Sequence, residues 1–277
     1  MATIVFVHAH PDDEASSTGG TIARAAAEGH RVVVVVCTNG EHGERPDDLA
    51  DGESLVDRRR REMARSAEIL GVRRVAWLGY SDSGMHGWEQ NAADGSFWSA
   101  DVDAAGARLA DVLREEHADV VVVYDWHGVY GHPDHVQVHR VGHRGADLAG
   151  TARRFESTFN RDAGRRLAEA MRELAAPDAE AWDVDGPADD GNPFGTPEVE
   201  LHLAVDVSAY IDVKRAALAA HASQTTDVTA MLEMPRDAFD TIFGTEWFIE
   251  PGAPAGLRTG FLFDAVDATH PGAGERR

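Results

Sequence analysis

The chain has 277 residues, 43% of them hydrophobic, enough for a large α/β domain with a substantial buried core. Its 48 acidic residues outnumber 26 basic ones, giving a formal net charge of −22, which argues against nucleic acid or an anionic membrane as partner. The single cysteine, Cys37, excludes a disulfide framework and a thiolate metal site, and fits a cytoplasmic location.

The first apolar run, Thr3–Val7, is short and has no basic flank or cleavage site. It reads as a buried strand and not as a signal peptide or membrane span. A helical pattern follows over Thr18–Glu28, then a strand over Arg31–Cys37 and a helix over Leu55–Leu70. The alternation continues with a strand at Arg74–Leu78, a helix at Asp101–His117, a strand at Val120–Tyr124 and a helix at Pro133–Leu148. Strands apolar on both faces, separated by helices, predict an α/β fold: a Rossmann-like, mainly parallel sheet with helices on both faces. The stretch Ala176–Pro197, rich in Pro, Asp, Gly and Ala, predicts a surface loop insertion. A later strand is expected in Glu200–Val207, a helix over Ser208–Ser223, and a frayed tail after Thr269, all within one domain spanning 1–277.

Two clusters carry chemistry. His8-Ala-His-Pro-Asp-Asp-Glu14 directly follows the first strand, and Tyr130-Gly-His-Pro-Asp-His135 follows the strand Val120–Tyr124 and opens a helix, with Pro133 suited to its first turn. Ligands of open parallel sheets sit beyond the carboxyl ends of the strands, so both clusters converge on one edge. Histidines and carboxylates gathered at such an edge suit a metal ion with an open position for water.

These motifs resemble those of the LmbE/PIG-L family of zinc-dependent N-deacetylases. The resemblance extends through CTNGEHGE at 37–44, RRRE at 59–62, LGYSDSGM at 78–85 and KRAALAAHASQ at 214–224. It is strongest toward two branches, a deacetylase of N-acetylglucosaminyl-inositol and a mycothiol-conjugate amidase. It implies His10, Asp13 and His135 as ligands of Zn2+, with Fe2+ as the other candidate, and Asp12 as general base. It further implies that His132 protonates or stabilises the tetrahedral intermediate, that Tyr130 polarises the carbonyl, and that Arg59 and Asp82 bind a small amino-sugar substrate. The chemistry of the residues agrees, since a divalent ion acidifies water and an adjacent free carboxylate can take its proton. His132, one helical turn before His135, can face the same cavity as an imidazolium and protonate the departing amine.

Ser17 and Gly131 stand where the amidase branch carries lysine and proline, whereas the region Phe239 to Phe263 looks more like that branch. Cleavage of a thiol conjugate therefore remains an alternative. A non-haem iron oxygenase is another, since two histidines and one carboxylate also suit iron. An inactive sugar-binding module is a further one. His8 is either a hydrogen-bonded packing residue or part of the site. Glu41 and Glu44 read as solvated, His221 and Gln224 as pocket residues or a helix end, and Cys37 as inert. Oligomeric state is not legible.

Overall fold

The computed structural model describes residues 1–174 and 183–264. The expected frayed tail after Thr269, and the first part of the expected loop insertion, lie outside the described residues.

The predicted alternation is present. Strands β1 (Thr3–His8), β2 (Arg31–Thr38), β3 (Arg74–Tyr80) and β4 (Val120–Tyr124) alternate with helices α1 (Asp13–Ala27), α2 (Leu55–Leu70), α3 (Val102–Glu115) and α4 (Pro133–Ala149). The chain continues through β5 (Arg153–Thr158), α5 (Arg161–Leu174) and β6 (Leu203–Asp206). It ends through α6 (Ile211–Ala219), α7 (Asp227–Glu233), α8 (Arg236–Phe243), β7 (Thr245–Ile249) and β8 (Arg258–Thr259). The strands form one eight-stranded sheet in the order β3-β2-β1-β4-β5-β7-β6-β8. The first five are parallel, β7 runs antiparallel to both β5 and β6, and β8 is parallel to β6.

Two features place the site. From β1 the chain first builds outward through β2 and β3, then returns to lay β4 on the other side of β1. The topological switch point therefore lies between β1 and β4, and a crevice opens at their carboxyl ends. Period-two alternation then divides each central strand between two cores. Ile4, Phe6, Val32, Val34 and Val36 face one layer with Ile22, Met63 and Leu70, while Val5, Val7, Val33, Val35, Val121 and Val123 face the other with Leu109, Leu113 and Val141. Close approach of α4 to the sheet depends on Gly142, where a Cβ would fall 2.2 Å from Val123 Cγ1.

Local signals explain the element ends. Ser54 caps α2 in a reciprocal capping box with Asp57, and Gly71 closes it in the left-handed conformation. Helix α1 begins at Asp13, five residues before the expected Thr18, because the motif itself forms its first turn. Asp13 and Glu14 there complement the positive end of the helix dipole. The span expected as one helix over Ser208–Ser223 is a 3-10 turn at Ser208–Tyr210 followed by the shorter α6. Strands β5 and β7 have no counterpart in the expectation. Their patterns, RRFEST and TEWFI, mix charge with apolar residues at the junction where the sheet turns antiparallel, β5 being parallel to β4 and antiparallel to β7.

Lys214, the only lysine, is 1% exposed and donates from Nζ to Glu246 Oε1 at 2.6 Å. Glu246 also accepts the backbone N–H groups of Gly20 and Thr21, each at 2.8 Å, so α6, β7 and α1 are tied at one point. Glu246→Ala would strand a buried ammonium and two buried N–H groups. A loss of about 3–5 kcal/mol is expected in urea unfolding. A loss below about 1 kcal/mol would show that water replaces the carboxylate.

Candidate active site

At the end of β1 the chain turns sharply into α1. Asp12, the N-cap, sits at φ 122° and ψ −28°, a conformation costing a non-glycine residue about 1–3 kcal/mol. Its surroundings hold it there. Glu14 Oε2 accepts the Asp12 N–H at 3.0 Å, and the Asp12 carbonyl accepts from the N–H groups of Ala15 and Ser16 at 3.0 and 3.1 Å. Arg59, from α2, donates to the Pro11 carbonyl at 2.6 Å and to Asp12 Oδ2 at 2.9 Å. The turn parts two adjacent aspartates: Asp12 meets Arg59, while Asp13 meets the histidines.

At the end of β4 the second motif forms the start of α4. His132 is the N-cap, its Nδ1 accepting the Asp134 N–H at 3.1 Å, and Pro133 opens the helix. The His132 ring centroid lies 4.7 Å from that of His10 and 5.2 Å from that of His135. Tyr124 stacks on His135 at 4.5 Å, and Tyr130 meets the same ring edge-on at 5.0 Å. The expected convergence of His10, Asp12, Asp13, Tyr130, His132 and His135 at one sheet edge is therefore present.

The donor geometry fits a divalent ion. Asp13 lies 3.5 Å through Oδ2 from His10 Nδ1 and 3.4 Å through Oδ1 from His135 Nε2. Tetrahedral ligands about 2.0–2.2 Å from zinc stand about 3.3–3.6 Å apart, so each histidine stands at ligand spacing from Asp13, one from each carboxylate oxygen. His135 is 3% exposed, yet neither ring nitrogen has a hydrogen-bond partner, which leaves a buried donor waiting for one. His10 Nε2 faces Asp134 Oδ2 at 3.1 Å and Asp82 Oδ1 at 3.6 Å, so these carboxylates can fix its tautomer with Nδ1 free. His10, His132 and His135 also bring donor atoms within 4.8 Å of one another. Because His132 Nδ1 already accepts a hydrogen bond, the neutral ring carries its proton on Nε2, as a donor and not as a ligand.

Charge states follow from burial and neighbours. Burial raises Asp12 to about 6, with the charge of Asp13 adding to the effect and Arg59 opposing it. Burial acts against charge on Asp13 too, but His135 and His10 outweigh it and hold that carboxyl well below the usual range. Burial, helped by His10 and His135, pushes His132 down to about 2, which favours the neutral ring. Burial, with Asp13 and Asp12 close by, pushes the Tyr130 phenol well up, keeping its proton in place.

Arg59 and Asp82 are both buried at the site. Arg59 also donates to the Gly40 carbonyl at 2.8 Å, and its Nε has no partner. Asp82 accepts the N–H groups of Gly84 at 2.8 Å and His42 at 3.2 Å. His221 proves to be interior. Its Nε2 lies 2.7 Å from Glu14 Oε1, and Ser66 donates to the same oxygen. Gln224 and Glu44 join the loop after β2 to the segment after α6: the Gln224 amide donates to the Glu44 carbonyl at 3.3 Å, and Glu44 accepts from Thr225 at 2.7 Å. His8 is a packing histidine, bonded to Tyr124 and Thr18 at 2.8 and 3.0 Å and lowered to about 4 by burial. Cys37 is fully buried and its thiol is pushed up by that burial.

Asp134, Ser83, Tyr124 and Glu14 were not singled out from sequence. Asp134 sits inside the second motif, and its backing of His10 follows from the common pairing of ligand histidines with carboxylates. Ser83, which donates to Asp134 through both its N–H and its hydroxyl, gives no signal in sequence because β3 brings it there. The described part of the expected loop insertion crosses the second motif, with Asp189 and Gly195 donating to the carbonyls of Tyr130 and Val129 at 3.1 and 2.7 Å. Gly131 lies beneath it at φ 92°, where a Cβ would come 2.4 Å from Asp190. Proline, fixed near φ −65°, cannot take that conformation.

Fold and site together define an open α/β protein with a buried histidine–carboxylate centre, suited to a divalent ion, at its switch point. A family profile described as PIG-L, GlcNAc-PI de-N-acetylase, matches residues 5–145. A 1D-myo-inositol 2-acetamido-2-deoxy-alpha-D-glucopyranoside deacetylase from Thermobispora bispora is 38% identical over 273 residues, covering 91% of this chain and 89% of its own. The conserved protein TT1542 from Thermus thermophilus matches in structure with a TM-score of 0.55 at 27% identity, covering 91% of this chain and 95% of that one. The N,N'-diacetylchitobiose deacetylase from Pyrococcus horikoshii shares the fold, with a TM-score of 0.54 at 20% identity, over 90% of this chain and 83% of that one. The chain belongs to the PIG-L family of de-N-acetylases. No helix among the described residues is long and apolar enough to cross a membrane.

Proposed function

We propose that this protein is a zinc-dependent N-deacetylase that hydrolyses the acetamide of an N-acetylglucosaminyl-inositol type of substrate. The observation that carries this reading is the place of Asp13 between two histidines, 3.5 Å from His10 Nδ1 through Oδ2 and 3.4 Å from His135 Nε2 through Oδ1, with the Asp12 carboxylate, paired to Arg59, beside them. The names of the relatives support the choice of substrate.

His10, Asp13 and His135 would hold the ion. A divalent ion supplies Lewis acidity there, acidifying water and polarising the amide carbonyl. Asp12 accepts the proton of the attacking water; a carboxyl raised to about 6 is still ionised near neutral pH, yet more basic than an ordinary aspartate. Tyr130, protonated, and the Nε2–H of His132 donate to the developing oxyanion. Asp12 then gives the proton it took from water to the departing amine. Arg59 aligns Asp12, and Asp82 accepts from a sugar hydroxyl.

The test is to incubate zinc-loaded protein with N-acetylglucosaminyl-inositol, with free N-acetylglucosamine and with a thiol-conjugated amide. Primary amine and acetate should appear one-to-one from the first. Amine from the thiol conjugate alone would make the protein an amidase, and oxygen uptake by the Fe2+-loaded form would make it an oxygenase.

A further inference from the structure

Outside the catalytic pocket, α4 and β5 carry a second cluster of metal-binding side chains. His139 and His143 are four residues apart on α4 and so share one helix face. Glu156, in the middle of β5, meets that face from the sheet. His143 Nε2 lies 2.8 Å from Glu156 Oε1, and His139 Nδ1 lies 3.7 Å from the same oxygen. The two imidazoles meet edge to face with centroids 4.6 Å apart. One donor atom from each of the three residues lies within 4.8 Å of the others.

Three features make this more than a hydrogen-bonded surface group. Donors around a four-coordinate ion stand about 3.3–3.6 Å apart; His143 Nε2 and Glu156 Oε1, now hydrogen-bonded at 2.8 Å, would move slightly apart, and the His139 ring would turn off the Tyr124 carbonyl, 3.1 Å from Nδ1, to offer a nitrogen. Glu156 is 8% exposed, and among the described residues neither arginine nor lysine pairs with it, only these two imidazoles. A carboxylate so nearly buried is stabilised by added positive charge. Both histidines keep an exposed edge, so an ion has a way in. The partial burial of His139 also favours its neutral form.

We propose that His139, His143 and Glu156 form a second divalent-metal site, separate from the catalytic one. Two imidazoles and one carboxylate favour zinc, cobalt, nickel or copper over magnesium or calcium, which prefer all-oxygen sets. The site shares no donor with the catalytic set. Its nearest link to that set is Tyr124, whose carbonyl lies 3.1 Å from His139 Nδ1 and whose ring stacks on His135.

The test is a metal count. Protein stripped by chelator is dialysed against excess Zn2+, and bound zinc per chain is measured in the wild type, His135→Ala, Glu156→Gln and the double variant His139→Ala/His143→Ala. The wild type should bind two ions, with the second class weaker. Glu156→Gln, which keeps the shape of the side chain, and the double variant should each bind one ion, the second class weakening by at least about 10–100-fold, the loss typical of removing even an outer partner. His135→Ala should keep the second class while losing the first. A Co2+ titration followed by visible absorption reports the same two steps independently of activity. A wild-type chain that binds one ion overturns the proposal. So does a second ion that survives in the double variant, or one whose loss always removes the first.

Discussion

His135→Ala is expected to lose bound metal and turnover together, with activity falling to background. His135 is buried, both of its ring nitrogens lack hydrogen-bond partners, and Asp13 stands 3.4 Å from Nε2, so the imidazole has no purpose in the structure other than packing unless an ion binds it. Even outer partners of ligands are worth about 10–100-fold in metal affinity, and a direct ligand should cost at least as much. His132 offers the informative comparison. Its Nδ1 is already engaged by the Asp134 N–H, so His132→Ala should keep the metal and lose turnover. Full metal content in His135→Ala would show that His10, Asp13 and His132 suffice to hold the ion, and would exchange the roles of the two histidines.

Asp12→Asn should retain its metal while turnover drops by about 10²–10⁴-fold, the usual scale for losing a general base. The substitution keeps size and shape. It preserves the backbone bonds that hold the strained turn, the N–H of residue 12 to Glu14 and its carbonyl to Ala15 and Ser16. What disappears is a carboxylate raised to about 6 by burial. Asp13→Asn makes the contrast, because that carboxylate lies between two histidines and a neutral amide is a poor ligand for a divalent ion. Metal content and turnover measured side by side in both variants separate the two roles. Near-normal turnover in Asp12→Asn would move the base elsewhere, with His132 the first to examine.

Much of this site is legible in the amino-acid sequence. The two motifs sit directly after apolar strands, and the rule that parallel sheets bind at their carboxyl edges is enough to bring His10 and His135 together. The valine-rich runs of β1, β2 and β4 and the periodicity of α2 and α4 are strong local signals, so their positions agree with expectation to within a few residues. Strands β5 and β7 are different. Their charged residues pair beyond the local window, Glu156 with His143 13 residues away and Glu246 with Lys214 32 residues away, so neighbouring residues alone do not show those partners.

What the sequence by itself determined is the chemistry: the donor types, their clustering and the edge of the sheet on which they meet. Only the tertiary structure decided how identical side chains divide the work. Asp12 and Asp13 differ because an N-cap at φ 122° turns one toward Arg59 and the other toward two histidines. His132 and His135 differ because one ring nitrogen is taken up by a helix N-terminus and the other ring is left without partners. Protonation and coordination depend on burial and on neighbours within about 4 Å, and folding, not adjacency along the chain, sets those neighbours.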